Sequence, residues 1–246
     1  MYFWEKNIMY LIRKTYIKPE MKLSSLFFEN PHLLVMMEHF GLDFIVYDKT
    51  IAQVCKAHNL STELFLTFAN LYNGFTIDKK LNLKAHDVKT IVTFLKNSHT
   101  YYKEEKYPEI QKLINLLAEN NKSVSVKLIV NFFEEYFKEV LEHLDYEDKT
   151  AFPYFLDLAD NHSGSGNKHE YSVKTYSMHH SDIETKIKEL KNLLLVHIPL
   201  EDNRNLRRKL ILKLFDLEYD LQIHYHIEEA VLIPIISEIE DNNARL

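Results

Sequence analysis

With a single cysteine, Cys55, the chain can close no disulfide of its own and build no cysteine-ligated cluster, so a reducing, cytoplasmic location is expected. Glycine is nearly as scarce, with only Gly41, Gly74, Gly164 and Gly166. Four scattered glycines cannot form a dinucleotide fingerprint or a P-loop, both of which need backbone to approach phosphate closely. That scarcity argues against nucleotide-cradling enzymes. No apolar run approaches the roughly 18 residues of a membrane span. The opening Met1 to Ile12 is broken by Glu5, Lys6 and Asn7, so it lacks the apolar core of a secretory signal. There is no basic cluster either, and a formal charge of −6 with a pI of about 6.1 leaves no electrostatic footprint for nucleic acid.

What the 246 residues do contain is enough hydrophobic side chain, 46%, for a core that needs no staples. They also contain one design twice. His143 is followed by Glu147 and Pro153, and His224 by Glu228 and Pro234, so each His leads a Glu by four residues and a Pro by ten. A helical spacing of four puts an imidazole and a carboxylate on one face, one turn apart, where both can reach a single ion. Composition alone yields about 1.2 chance His-x3-Glu pairs in a chain like this, but only about 0.03 copies with the Pro at the same offset. The pair His180 and Glu184 lacks the Pro and stays within the chance count.

Apolar residues three and four apart predict four long amphipathic helices after a polar connector at residues 75–87. The first carries Val92, Leu95, His99, Tyr102, Ile110, Leu113 and Leu117, with Pro108 expected to kink or soften it. The second carries Leu128, Phe132, Tyr136, Val140, His143, Glu147 and Ala151. A flexible loop from Asn161 to Glu170 leads to the third, with His180, Ile183, Ile187, Leu190 and Leu194. The fourth carries Leu210, Leu214, Leu217, Leu221, His224, Glu228 and Val231. The expected fold is therefore all-α, an up-down-up-down four-helix bundle at residues 85–241. Before it come a small helical module at 23–75 and an N-terminal arm at 1–22. In the module, Asn30-Pro31 predicts a helix start, Gly41 a stop, and Thr50 and Ser61 two further starts.

Each seam is apolar except at His99, at His143 with Glu147, at His180, and at His224 with Glu228. Burying four imidazoles and two carboxylates without partners costs several kcal/mol for the charged groups alone. In helices of alternating direction all six can meet in one layer. Two metal ions sharing four His and two bridging Glu would each receive two nitrogens and two oxygens. An oxo or hydroxo bridge adds a fifth ligand and leaves a position open. Such a donor set suits iron, accommodates manganese or zinc, and disfavours metals that need thiolate. The competing reading is a hydrogen-bonded polar layer without metal.

His226 falls two residues from His224 and points off the seam. His179 replaces His180 if the third helix is rotated. His197, about 25 Å further along a helix than His180, cannot share the site. Tyr102, Tyr136 and Glu184 are candidate partners for the ligand imidazoles.

On these two His-x3-Glu-x5-Pro copies the chain resembles the hemerythrin-like (HHE) domain. On Phe40-Gly-Leu-Asp-Phe44 and Lys49 to Cys55 it resembles the repair-of-iron-centres (RIC) family of di-iron proteins, with an altered N-terminal module. Where that family carries Cys-Cys and two Gly, this chain has Ile45, Val46, Tyr47 and Asp48. The resemblance implies a di-iron centre of two oxo- or hydroxo-bridged iron ions, held by His99, His143, Glu147, His180, His224 and Glu228. It further implies iron-sulfur cluster repair under nitric oxide or oxidative stress, with O2 or NO at the metal and damaged iron-sulfur proteins as partners. Glu184 stands where oxygen-carrying hemerythrins have an extra His, so reversible oxygen carriage is not implied. Two other functions remain open, an oxygen or nitric oxide sensing module and a di-iron NO or peroxide reductase. A homodimer is compatible with all three, and catalytic residues are not identified. Cys55 reads as a small buried residue on a helix rather than a reactive thiol.

Overall fold

A computed structural model describes residues 15–77, 81–160, 172–179, 183–197 and 203–243, with backbone alone at 177–179 and 183–185. Among the described residues the regular secondary structure is helical, with turns and loops between the helices and one isolated bridge between Lys22 and Thr50. No helix among them is long and apolar enough to cross a membrane.

Four short helices come first: α1 (Leu23–Glu29), α2 (His32–His39), α3 (Ile51–Ala57) and α4 (Thr62–Tyr72). Their ends follow the local chemistry of the sequence. The Asn30 side chain accepts from the His32 N–H, one position later than the Asn-Pro signal suggests. Gly41, at φ 67°, closes α2, because its own N–H reaches the Glu38 carbonyl while the Leu42 N–H reaches that of Met37. Thr50 opens α3 with a reciprocal capping box to Gln53, and Ser61 caps α4 through the Leu64 N–H.

Then come α5 (Ala85–Tyr101), α6 (Tyr107–Asn120), α7 (Val124–Tyr146), α8 (Phe152–Ala159), α9 (Val173–His179), α10 (Ile183–Asn192), α11 (Arg204–Ile227) and α12 (Ile233–Asn243). Three pairs are continuous. A five-residue π turn joins α5 to α6 at Tyr102–Lys106, α7 to α8 at Glu147–Ala151, and α11 to α12 at Glu228–Leu232. A fourth π turn, Leu193–His197, ends α10. In the three joins the N–H after the turn reaches back five residues, Tyr107 to Tyr102, Phe152 to Glu147 and Ile233 to Glu228.

Proline explains this register. Pro108, Pro153 and Pro234 each follow the start of a π turn by six residues, and Pro199 stands at the same offset from Leu193. A helical proline donates no N–H and its ring pushes away the carbonyl four residues back. One extra residue in the preceding turn absorbs both defects without breaking the helix. Pro108 therefore widens its helix into a π turn.

α5 packs on α8 and α6 on α7, so the first two long helices run antiparallel. α11 packs on α6 and α10, and α12 on α5, α8 and α9. The expected seams of the first and fourth helices are buried, with Leu113 partly so. In the second helix the buried line runs Val126, Ile129, Phe133, Tyr136 and Val140, while Leu128 is exposed. Steps of four repeated without a three drift about 40° each time around a helix of 3.6 residues per turn, which carries Leu128 off the seam.

The core falls into two apolar clusters. One joins α1–α4 to the start of α5, to α8 and to the region around Ile223, Ile227 and Ile236. The other fills the opposite end, from Tyr102 and Tyr107 to Leu194 and Leu221. Between them lies a layer of polar side chains.

Candidate metal centre

His99 lies near the end of α5, His143 and His224 one turn before the ends of α7 and α11, and Glu147 and Glu228 at the first positions of their π turns. The proline of the repeated motif thus fixes where the wide turn begins, and it begins at the glutamate. His99, Glu147, His224 and Glu228 are all buried, and each offers one ligand atom within 4.8 Å of the other three. His99 Nε2 is 3.3 Å from Glu147 Oε2, His224 Nε2 is 3.1 Å from Glu228 Oε1, and the two Nε2 atoms are 3.4 Å apart. His143 Nε2 approaches the other oxygen of Glu147 at 3.2 Å. Glu147 therefore turns its two oxygens to two different imidazoles. With metal–ligand distances of about 2.1 Å, adjacent ligand atoms lie roughly 3.0 Å apart in an octahedron and roughly 3.4 Å in a tetrahedron. The observed separations fall in that range.

Proton bookkeeping points the same way. Ser98 Oγ gives its hydrogen to the Leu95 carbonyl at 2.7 Å, so at its 2.8 Å contact with His224 Nδ1 it must accept. Neutral His224 then carries its proton on Nδ1 and a lone pair on Nε2. His99 Nδ1 donates to Asp148 Oδ1 at 3.0 Å, which likewise leaves Nε2 to the site, and Lys103 Nζ holds the other oxygen of Asp148 at 3.0 Å. Two imidazole lone pairs facing each other beside buried carboxylates repel unless a cation lies between them. Buried Glu147 Oε2 has no well-formed hydrogen bond among the described residues, only the 3.3 Å approach of His99 Nε2. These donors fit a metal ion.

In the metal-free protein a proton takes the cation's part. Burial pulls the His99 imidazole down, but hydrogen bonds and charge from Asp148 and Glu147 outweigh it and hold the ring up at about 9. Burial alone raises Glu147, and the His143 and His99 contacts overcome it, keeping this carboxyl well below the usual carboxylate range. The Tyr176 phenol, pushed far up by burial and then by the charges of Glu228 and Glu147, stays protonated and donates to Glu147 Oε1 at 2.8 Å.

Five of the six expected ligands are thus brought together. His180 lies outside the described residues, as do the side chains of His179 and Glu184. His226 and His197 are exposed. Tyr102 sets its ring edge-on to His224, 5.8 Å between centroids, and gives its hydroxyl proton to Asp220; the Tyr136 hydroxyl accepts from Tyr107. The sequence reading missed Ser98, Asp148 and Tyr176. Tyr176 had a signal, standing four residues before His180.

The family model described as the hemerythrin HHE cation binding domain matches residues 90–236, a span that contains every one of these side chains. Comparison with curated proteins gives no match.

Proposed function

The chain belongs to the hemerythrin HHE cation-binding family, and from that premise we propose that it is a non-haem di-iron protein of the nitric oxide and oxidative stress response. In this reading the long helices form an up-down-up-down four-helix bundle over 85–241, preceded by an arm at 1–22 and a module at 23–75. His99, His143, Glu147, His224 and Glu228 hold the iron, with His180 as the sixth ligand. Iron bound there supplies one-electron redox chemistry and coordination positions for O2 or NO. The residues around it do the rest. Glu147 spans two imidazoles, Asp148 and Ser98 keep two Nε2 atoms available, and Tyr176 holds one carboxylate oxygen in place. The observation that carries the reading is the convergence of four buried ligand atoms within 4.8 Å.

The cellular role we assign is iron-sulfur cluster repair in the cytoplasm, with damaged iron-sulfur proteins as partners. A second role, sensing, is favoured by one specific contact. His39 of α2 and Tyr72 of α4 both bond Asp220 on α11, four residues before His224, so the N-terminal helices are tied to the metal-bearing helix. Metal analysis with an optical spectrum, on the wild type and on a His143→Ala, His224→Ala variant, tests the common premise. Two irons per chain with near-ultraviolet absorption, lost in the variant, is the expected result. A folded protein that stays metal-free after anaerobic iron loading would sink it. Reactivation of a nitrosylated cluster protein then separates repair from sensing.

A further inference from the structure

Asp220 is the centre of a second buried polar cluster, which the metal layer does not need. Its carboxylate is 4% exposed and accepts three hydrogen bonds: from Tyr72 at Oδ1, and from Tyr102 at 2.7 Å and His39 Nε2 at 3.0 Å, both at Oδ2. Burial favours the acid form, yet His39 and the two phenols keep Asp220 ionised, down to about 2. It is a permanent base in contact with two phenols. Tyr102 also touches the metal layer, ring edge to the His224 imidazole. On its other side lies Tyr101, 5.9 Å between ring centroids, at the edge of the protein with 9% exposure and the Lys106 ammonium 4.9 Å above its ring. An aromatic chain thus runs from a ligand imidazole through a phenol with its own base to the surface.

We propose that Tyr102 is a redox-active tyrosine that carries electrons from the protein surface to the metal site, with Asp220 as its proton acceptor and hydrogen peroxide as the oxidant. The inference rests on the di-iron reading. In each pass Tyr102 gives one electron towards His224 while its O–H bond breaks and the proton moves to Asp220 Oδ2, leaving a neutral tyrosyl radical and a carboxylic acid. An oxidised phenol is a far stronger acid than a carboxylic acid, so even a carboxylate held at low pKa takes the proton. Tyr101 then relays one electron from an external one-electron donor such as ascorbate, and the proton returns from Asp220 to the Tyr102 oxygen. Two passes supply the two electrons that, with two solvent protons, reduce one hydrogen peroxide to two waters. Tyr176 is the rival phenol, but its hydrogen-bond partner Glu147 is a candidate ligand and its ring is 1% exposed.

The test is electron paramagnetic resonance of the iron-loaded full chain, frozen after one equivalent of hydrogen peroxide, with ring-deuterated tyrosine to identify the radical. Wild type should give a tyrosyl signal. Tyr102→Phe should lose it, Tyr176→Phe and Tyr47→Phe should keep it, and ascorbate should quench it more slowly in Tyr101→Phe. Tyr102→Phe leaves the Asp220 bonds to His39 and Tyr72 in place, and circular dichroism checks its fold. Asp220→Asn should also lose the signal. Iron-loaded wild type with no tyrosyl signal, or a signal that survives Tyr102→Phe, overturns the proposal alone. Iron analysis on the same samples separates the other case, because a chain that takes up no iron overturns the di-iron reading and the proposal with it.

Discussion

His99 and His224 face each other through Nε2 atoms 3.4 Å apart, each ring committed at Nδ1 to a partner outside the site, Asp148 for one and Ser98 for the other. Neither imidazole can turn away without giving up a buried hydrogen bond. The fold aims both Nε2 atoms at one point, where a proton or a metal ion can lie between them.

Iron binding should therefore raise thermal stability markedly. A ligand held at 100 times its dissociation constant adds about 2.7 kcal/mol, which for a domain of this size is roughly 5–10 °C of melting temperature. Calorimetry before and after anaerobic iron loading measures it. His99→Ala should abolish the shift while leaving a folded helical protein, and an unchanged shift would mean that the metal binds elsewhere.

Tyr176→Phe removes a hydroxyl that donates to Glu147 and leaves the ring's packing against Phe155. Loss of a hydrogen bond to a buried charged group should cost the metal-free protein about 1.5–3 kcal/mol in urea unfolding. Metal affinity should fall roughly 10- to 100-fold, as for other partners of ligand side chains, read by competition with a chelator.

The candidate site's His and Glu pairs were legible in the sequence because the motif repeats on two helices, and the spacing of four leaves a mark. The π turns were not, although their cause was in plain view. Pro153 and Pro234 mark a motif, but nothing in a one-dimensional spacing says that the chain will answer a proline with a wider turn instead of a break. The seam of the second helix was misread at Leu128 because repeated steps of four outrun the helical period. Asp220 left no trace at all. Two of its partners, His39 and Tyr72, are 181 and 148 residues away, and an aspartate on an amphipathic helix reads as solvent-facing until the N-terminal helices are folded onto it.

Cys55 is fully buried, and burial pushes its thiol up to about 11, against the smaller opposing effect of a hydrogen bond with Thr62. It should not react with a thiol reagent at neutral pH until the protein is unfolded, and one thiol per chain should then appear. Cys55→Ala should leave any cluster-repair activity unchanged. A loss of repair in that variant, with the fold intact, would mean that the thiol takes part in delivery after all.

Asp220 makes acid a selective probe of how the N-terminal helices are fastened. Burial pushes its carboxyl up, but the His39 charge and the hydrogen bonds of His39, Tyr72 and Tyr102 more than reverse this, and the group sits at about 2 against an ordinary 3.8. A carboxyl depressed on folding stabilises the native state above its unfolded pKa, and that contribution disappears as pH falls through the folded value. The window is therefore about pH 4 down to about pH 2, and the contribution lost across it is about 2 kcal/mol. Asp220→Asn removes the charge but keeps the shape, leaving His39 and two phenols facing an amide. At neutral pH it should cost about 1.5–3 kcal/mol, the loss of hydrogen bonds to a buried charged group. Between pH 4 and 2 the variant should lose stability less steeply than wild type, because Asp220 no longer titrates while the other depressed carboxyls, Asp145, Glu147 and Asp148, still do in both. Urea midpoints on metal-free protein across this range give the two slopes. Hydrogen exchange at α2 and α4 shows where the loss falls: if those helices open first in the variant, Asp220 fastens them to α11, whereas equal protection would place the fastening in the apolar contacts of Met36, Phe65 and Phe94 instead.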